Sequence, residues 1–329
     1  MDLSTTYLGL TLRNPLIVGS STLTLDADKA AACEAAGAGA VVLKSLFEEQ
    51  IALDSSDLSS AVAGQGHWHS EAFEYMEAEI GMRYGTRQYL RIIRECKERV
   101  AIPVIASINC VDPEWWEDFA GQVEAAGADA LELNISIMPT DITVAAEDIE
   151  DRFAAIVRRA RDAVSLPLAV KIGPYFTSPS QVIMRLADEG ADGFVLFNRF
   201  YRPTIDVNKL TVRSDSPLSA HEEHSVPLRW ISLLADRVRG DFAATTGIHT
   251  GEDAVRMLLA GARTVQVVSA LYRNGVDHLQ TMLEDIRDWA EAHRYETLDQ
   301  FRGLMSQAQN PDQKLFGRLQ YIKGLVGIE

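Results

Sequence analysis

Four times along the chain an apolar helical pattern runs into Gly-Ala and a short apolar run follows. These are AAGAGAVVLK (35–44), AAGADALELN (125–134), DEGADGFVLFN (188–198) and LAGARTVQVV (259–268). Glycine at a helix C-terminus relieves the steric cost of a left-handed turn, so each reads as a helix-to-strand joint. Two further joints, VAIPVIASIN (100–109) and VSLPLAVKIG (164–173), put proline at the first residue of a strand, where its missing N–H matters least. NPLIVGSS (14–21) and FAATTGIHT (242–250) bring the strands to eight, and helical patterns follow at 26–36, 86–99, 113–126, 147–163, 178–189, 227–239, 251–260 and 275–293. Strands too apolar to have a wet face, alternating with helices, belong to a parallel sheet covered on both sides, and eight is the number that closes one. The expected fold is α/β, a (β/α)8 TIM barrel. An open doubly wound sheet is the alternative, and the absence of G-x-G-x-x-G after any strand speaks against it.

No low-complexity linker interrupts this pattern, so residues 1–329 are expected to form one barrel domain. Two stretches depart from the repeating unit: 47–85 after strand 2 and 199–226 after strand 6. Both emerge at the C-terminal face, where barrel active sites form, and long loops there read as lids. Residues 295–329 read as a helical extension on the barrel exterior, with one helix over 297–308.

The 47 acidic and 31 basic residues give a net charge of −16, which argues against a nucleic-acid partner, because phosphate recognition needs a concentrated basic surface. No apolar run approaches the roughly 18 residues of a membrane span, and MDLSTTYLGLTLRNP lacks the features of a signal peptide. Cys33, Cys96 and Cys110 are widely spaced and form no C-x-x-C, so neither a disulfide framework nor a structural zinc site is indicated from them. A protein of the cytoplasm, without membrane contact, is the expectation.

Polar residues at strand C-termini point into the mouth of such a barrel. They are Lys44-Ser45, Ser107-x-Asn109, Asn134-x-Ser136, Lys171, Asn198-Arg199, Thr245-Thr246-Gly247 and Ser269-Ala270. Two of the seven lysines, Lys44 and Lys171, thus sit inside apolar strands, where an ammonium is costly unless paired. Either can neutralise Glu132, and Lys171, which alternates with Ala169 and Gly173, also has space beside it for a ligand. The loops after strands 7 and 8 of this fold commonly cradle phosphate. Here they read Thr246-Gly247-Ile248 and Val268-Ser269-Ala270, and the helix starting near Gly251-Glu252-Asp253 adds N-terminal N–H groups. A phosphate-bearing cofactor and a mere tight turn are the two readings of T-G-I.

NPLIVGSS, VVLKS, LELNIS, PLAVKIGPYF and TTGIxTGxDA, in that order over about residues 5–305, resemble the FMN-binding dihydroorotate dehydrogenases, the soluble class 1 members most closely. The flavin domain of dihydropyrimidine dehydrogenase shares much of the pattern. The resemblance implies FMN as cofactor, with Ser20, Lys44, Ser45, Asn109, Asn134 and Lys171 about the flavin and Thr246, Gly247, Ser269 and Ala270 holding its phosphate. It implies catalytic or substrate-side roles for Lys171, Asn134, Ser136 and Asn198, and a dihydropyrimidine-like substrate as partner. A homodimer is also in keeping with it. A cation beside the flavin stabilises the negative charge of its reduced form.

The substrate side departs from the family. The loop S-[C/S]-P-N, whose Cys or Ser is the general base, reads Ser136-Ile137-Met138-Pro139, so the base position falls on Ile137 and the loop's usual Asn on Pro139. Strand 6 ends Asn198-Arg199, the lid reads GQGHWHSEAF (64–73), and HEEHSVPLRW (221–230) replaces an expected glycine pair. Candidate acid/base groups are Ser136, Cys110, Asp141, His67 and His69. Each has a plainer reading: a loop hydrogen bond, a packed small residue, a turn cap or solvated lid residues. Arg199 either binds a substrate carboxylate or pairs with an acid. The sequence thus describes an FMN-dependent oxidoreductase of the dihydroorotate dehydrogenase type with an altered substrate site. A flavin enzyme acting on another small CH–CH substrate and a non-catalytic flavin-binding barrel are the alternatives.

Overall fold

The computed structural model describes residues 1–48, 50–51, 85–111, 117–199, 202–215, 218–309, 322 and 326. Eight short strands form the barrel: β1 (Leu16–Val18), β2 (Ala40–Val42), β3 (Val104–Cys110), β4 (Ala130–Ile135), β5 (Leu168–Ile172), β6 (Gly193–Leu196), β7 (Asp241–Ala244) and β8 (Thr264–Val267). Each pairs in parallel with its neighbour in sequence, and β8 returns to β1 through Val265↔Leu16, so the sheet closes. This is the expected (β/α)8 barrel.

The helices between strands are α1 (Ala27–Ala35), α2 (Thr86–Arg99), α3 (Glu117–Ala125), α4 (Ala146–Ala163), α5 (Pro179–Asp188), α6 (Ser225–Leu234), α7 (Gly251–Ala260) and α8 (His278–Ala292). The Gly-Ala joints behave as the sequence predicts: Gly37, Gly127, Gly190 and Gly261 all have φ between 94° and 115°. Helix α6 stops well short of the expected residue 239. The chain takes a left-handed residue at Asp236 (φ 63°) and another at Gly240 (φ 123°) to enter β7.

The apolar residues sort into two shells. One lies between strands and helices, and includes Leu43, Ile93, Leu131, Ile156, Phe194 and Leu258. The other lies inside the lower barrel, where Ile17, Ala40, Val42, Ile105, Ala130, Ala169, Val195 and Ala243 meet Tyr7, Leu8 and Leu12. Those last three belong to an antiparallel hairpin, Thr5–Tyr7 with Leu10–Leu12, that plugs the N-terminal end. Small residues on four strands leave the room that Tyr7 fills.

Within the stretch 199–226 a second hairpin pairs Arg202–Asp206 with Thr211–Asp215. The helix expected over 297–308 is absent. Two 3-10 turns, Leu298–Gln300 and Gln307–Gln309, stand in its place, with Gly303 at φ 74° between them. The physical reason lies in α7, whose last carbonyls lack intrahelical partners. Gly303 N–H donates to Leu258 O and Met305 N–H to Leu259 O, both at 2.9 Å, which draws the tail across the end of α7.

The Tyr7 hydroxyl is buried without a hydrogen-bond partner, and burial, then the nearby Glu132 and Asp241 carboxylates, push its pKa well up. Removing an unsatisfied buried hydroxyl sheds a desolvation cost of about 1–3 kcal/mol. Tyr7→Phe is therefore expected to leave the urea midpoint unchanged or raised, whereas Tyr7→Ala, which empties the plug, is expected to cost about 3–5 kcal/mol. A Tyr7→Phe variant that unfolds as early as Tyr7→Ala would show that the hydroxyl, not the ring, holds the plug.

Candidate active site

Side chains two apart on a strand share a face, and partners in parallel register share it between strands. The register Asn109↔Asn134↔Lys171 across β3, β4 and β5 therefore sets these three expected residues on one level of the barrel. One level below, Ser107 pairs with Glu132. Lys171 is buried at 9% exposure and Glu132 at 1%, and their charged atoms are 3.8 Å apart. Of the two lysines offered as partners of Glu132, Lys171 is the one the fold places there. Gln266 on β8 completes the group from across the barrel: its Nε2 donates to Glu132 Oε2 at 2.6 Å, and its Oε1 accepts from Lys171 Nζ at 3.3 Å. Gly19 makes this possible, since a Cβ there would stand 2.9 Å from Val268 and 3.3 Å from Gln266 Oε1. Gln266 was not singled out from the sequence, although a polar residue at the inward position of Thr-Val-Gln-Val is the signal that finds it.

Ser20, Ser45 and Ser107 form a hydroxyl chain across β1, β2 and β3. Ser20 Oγ lies 3.0 Å from Ser45 Oγ, which is 2.8 Å from Ser107 Oγ. Ser107 N–H donates to the Tyr89 hydroxyl at 2.7 Å, and that hydroxyl donates back to Ser107 O at 3.0 Å. Lys44 is half-buried in a crevice shared with Leu25, Ser45, Gln50 and Tyr89.

On the other side of Lys171, Asn198 Nδ2 donates to Asn134 Oδ1 at 2.7 Å, which brings the two asparagines of the expected site together. Asn198 Oδ1 accepts from Arg199 N at 3.0 Å. Arg199 Nε pairs with Glu223 Oε2 at 3.0 Å, both side chains being largely buried at 15% and 13% exposure. Of the two readings of Arg199, the structure carries the ion pair. Glu223 Oε1 also accepts from Ala220 N at 2.7 Å, so the pair fixes the segment before α6 over the barrel mouth.

That segment ties the loops after β7 and β8 to each other. Gly247 N–H, at the end of β7, donates to Ser219 Oγ at 3.2 Å, and Ser219 N–H donates to Ser269 Oγ at 2.9 Å. Ser269 and Ala270 are not the end of β8; they open a short helix, Ser269–Asn274, because the chain leaves the barrel after Val267. Thr246 and Gly247 both have φ 78°, and Thr246 Oγ1 donates to Phe197 O at 2.9 Å. A Cβ on Gly247 would stand 2.1 Å from His224 N. Ser219 lies in a long loop with no periodicity to mark it.

The acid/base candidates separate. Cys110 is fully buried, and burial, then Glu48, raises its thiol pKa well above the ordinary value. Asp141 is exposed and caps its own turn, accepting from Thr143 N and Thr143 Oγ1 at 2.8 and 2.7 Å. His67 and His69 lie outside the described residues. Ser136 is half-buried at the end of β4, with its N–H donating to Cys110 O at 3.3 Å. Ile137 lines a crevice with Pro139, Phe153, Gly173, Tyr175 and Phe176.

Comparison with known proteins agrees with this architecture. A family model described as dihydroorotate dehydrogenase matches residues 76–289. The chain belongs to the dihydroorotate dehydrogenase family. It is 26% identical over 318 residues to the dihydroorotate dehydrogenase B (NAD(+)) catalytic subunit of Thermoplasma acidophilum, covering 92% of this chain and 98% of that one. It is 28% identical over 269 residues to the protein of the same name from Desulforudis audaxviator, covering 80% and 84%. It is 27% identical over 325 residues to the NAD-dependent dihydropyrimidine dehydrogenase subunit PreA of Escherichia coli, covering 92% and 76%. The chain is thus an oxidoreductase of the dihydroorotate dehydrogenase kind, and these relatives carry more than one substrate in their names. Among the described residues, no helix is long and apolar enough to cross a membrane.

Two outcomes test this geometry. Lys171→Ala leaves Glu132 buried without its cation, which should destabilise the fold by about 3–5 kcal/mol, and Glu132→Gln in the same chain should restore most of that loss. The double variant failing to recover in chemical denaturation would show that the pair does not hold the barrel. The thiols provide the second: burial raises Cys33 to about 11, and burial, then Asp26 and Glu95, raises Cys96 to about 12. With Cys110 buried as well, all three should resist iodoacetamide at pH 7 in the native protein and react once it is unfolded.

Proposed function

We propose that the protein is an FMN-dependent dehydrogenase acting on a dihydropyrimidine-like ring. The observation that carries the reading is the convergence of Lys171, Asn134 and Asn198 at one end of a barrel whose β7 and β8 loops close on Gly247, Ser219 and Ser269. The donor chemistry of this chain fits the cofactor. The Ser219 and Ser269 hydroxyls and the first N–H groups of the helix opening at Ser269 supply hydrogen-bond donors for a phosphate. Ser20, Lys44, Ser45 and Asn109 supply polar contacts beside it, and Lys171 supplies positive charge that Glu132 offsets only in part. FMN supplies a hydride acceptor when bound.

The chain's own residues bind and orient the ring. Asn134 and Asn198 each present an amide, with both donor and acceptor groups for the imide-like edge of a dihydropyrimidine. Their mutual hydrogen bond fixes which atom of each faces outward. Holding a substrate in one attack geometry is a large part of what such a site contributes. Ser136 is the group at the end of β4 able to take a proton, since Ile137 cannot. Unassisted serine is a weak base, so a rate about 10²–10⁴ below that of a site with a matched base is expected.

A second reading, a different small substrate with a CH–CH bond, is favoured by the same Ile137, a side chain that cannot take a proton at the position where the family has a Cys or Ser. The hairpin of 202–215 exposes Ile205, Val207, Leu210 and Val212, and this apolar surface supports a homodimer. The residues and their surroundings are in keeping with a protein of the cytoplasm.

The purified protein is expected to be yellow and to release FMN on denaturation. Anaerobic addition of dihydroorotate or dihydrouracil should bleach its visible band, and Asn134→Ala should abolish that bleaching with the bound flavin retained. A yellow protein inert to both compounds would favour the second reading. A colourless protein that FMN does not reconstitute would overturn both.

A further inference from the structure

Four of the seven histidines lie together beside the β7 end of the barrel. His221 and His224 occupy a 3-10 turn, His221–His224. Residues three apart on such a turn stand one above the other. Their ring centroids are 4.7 Å apart, and that of His249 is 6.4 Å from His221. His278 Nε2 lies 2.8 Å from His249 O. Facing the turn is Asp253, from the first turn of α7, with its side chain fully buried. One ligand atom each from His221, His224 and Asp253 fall within 4.8 Å of one another.

The geometry points to a divalent transition-metal site of the zinc class, formed by His221, His224 and Asp253. Three features support it independently of the flavin reading. First, His221 Nδ1 and Asp253 Oδ2 are 3.2 Å apart, close to the ligand–ligand edge of about 3.3 Å that bonds of about 2.0 Å impose in a tetrahedral site. Second, His224 Nδ1 is 2.5 Å from His221 O. Donation of that ring N–H to a carbonyl leaves the Nε2 lone pair for a metal, and this is how ligating histidines are usually oriented. Third, Asp253 is held rigidly by second contacts: His249 N and Thr250 N donate to Oδ2 at 3.0 and 3.1 Å, and Arg256 Nη1 to Oδ1 at 2.7 Å. Two imidazoles and one carboxylate suit zinc, cobalt or nickel better than calcium or magnesium. The His221 side chain is 49% exposed, so water can complete the coordination. A metal here would fasten the turn to α7, next to Ser219 and Gly247.

The full chain, stripped with EDTA and returned to chelator-free buffer, is titrated with Co²⁺ and then Zn²⁺. One equivalent of Co²⁺ should produce visible ligand-field bands that Zn²⁺ abolishes, and Zn²⁺ should raise the melting temperature. Because His67 and His69 also carry ring nitrogens, the decisive variants are His221→Ala and His224→Ala. Each should lower the affinity about 100-fold while the metal-free protein keeps its wild-type circular dichroism. Absence of the bands, or an affinity that neither substitution lowers, overturns the site and leaves His221 and Asp253 as a close side-chain contact only.

Discussion

The barrel depends on how it accommodates a buried charge pair. Glu132 and Lys171 lie on adjacent strands inside a closed sheet, where either ion alone would cost several kcal/mol. Their separation of 3.8 Å is too long for a strong hydrogen-bonded pair, so Gln266 supplies what direct contact does not. Its amide donates to the carboxylate and accepts from the ammonium, linking β4, β5 and β8 across the barrel. The neighbouring choices follow from this brace. Gly19 leaves room for Gln266, Ala169 and Ala130 leave room below for the Tyr7 ring, and the level above is free for Asn109 and Asn134.

A second constraint acts at the mouth. The β7 and β8 loops of this barrel end in short polar runs that could not by themselves hold a fixed spacing. Ser219 spans them, accepting from Gly247 N–H and donating to Ser269 Oγ. Ser219 is itself held because the following turn is clamped twice, by Glu223 to Arg199 on β6's side and by His221 to Asp253 on α7. The described part of the stretch 199–226 therefore has a definite structural task. Its last residues set the distance between two loops that the strands leave independent.

The fold was legible because its signals are local and repeated. Each Gly-Ala joint reports a left-handed turn forced by sterics, and eight apolar strands leave few ways to bury their faces. Helix ends were less legible, since α6 yields to Asp236 and Gly240, and the tail yields to the unsatisfied carbonyls of α7, both decided by tertiary partners. In the site, residues at strand ends (Asn134, Lys171, Asn198, Thr246, Gly247) were readable from position, because a barrel sends all strand ends to one face. Ser219 and Glu223 were not, since loop residues carry no period. Ser269 was placed correctly in sequence but on the wrong element, and the pairing of Lys171 with Glu132 depended on a third residue, Gln266, from far along the chain.

The departure at Ile137 can be understood in the same terms. Proton acceptors at a strand end need a polar surrounding or solvent to carry the charge they gain. The crevice that Ile137 shares with Phe153, Tyr175 and Phe176 has only Glu150 and Thr177 as non-aromatic polar lining, and Phe153 and Phe176 meet edge to face at 5.1 Å. A Cys or Ser in that crevice would have its thiol or hydroxyl against aromatic carbon, and burial there would raise its pKa, as burial does for Cys110 one strand away. Restoring a base at 137 would thus require changing the wall around it as well as the residue. Ile137 thus stands on the more apolar side of the β4 and β5 loops, with Asn134 and Asn198 paired on the polar side of the mouth.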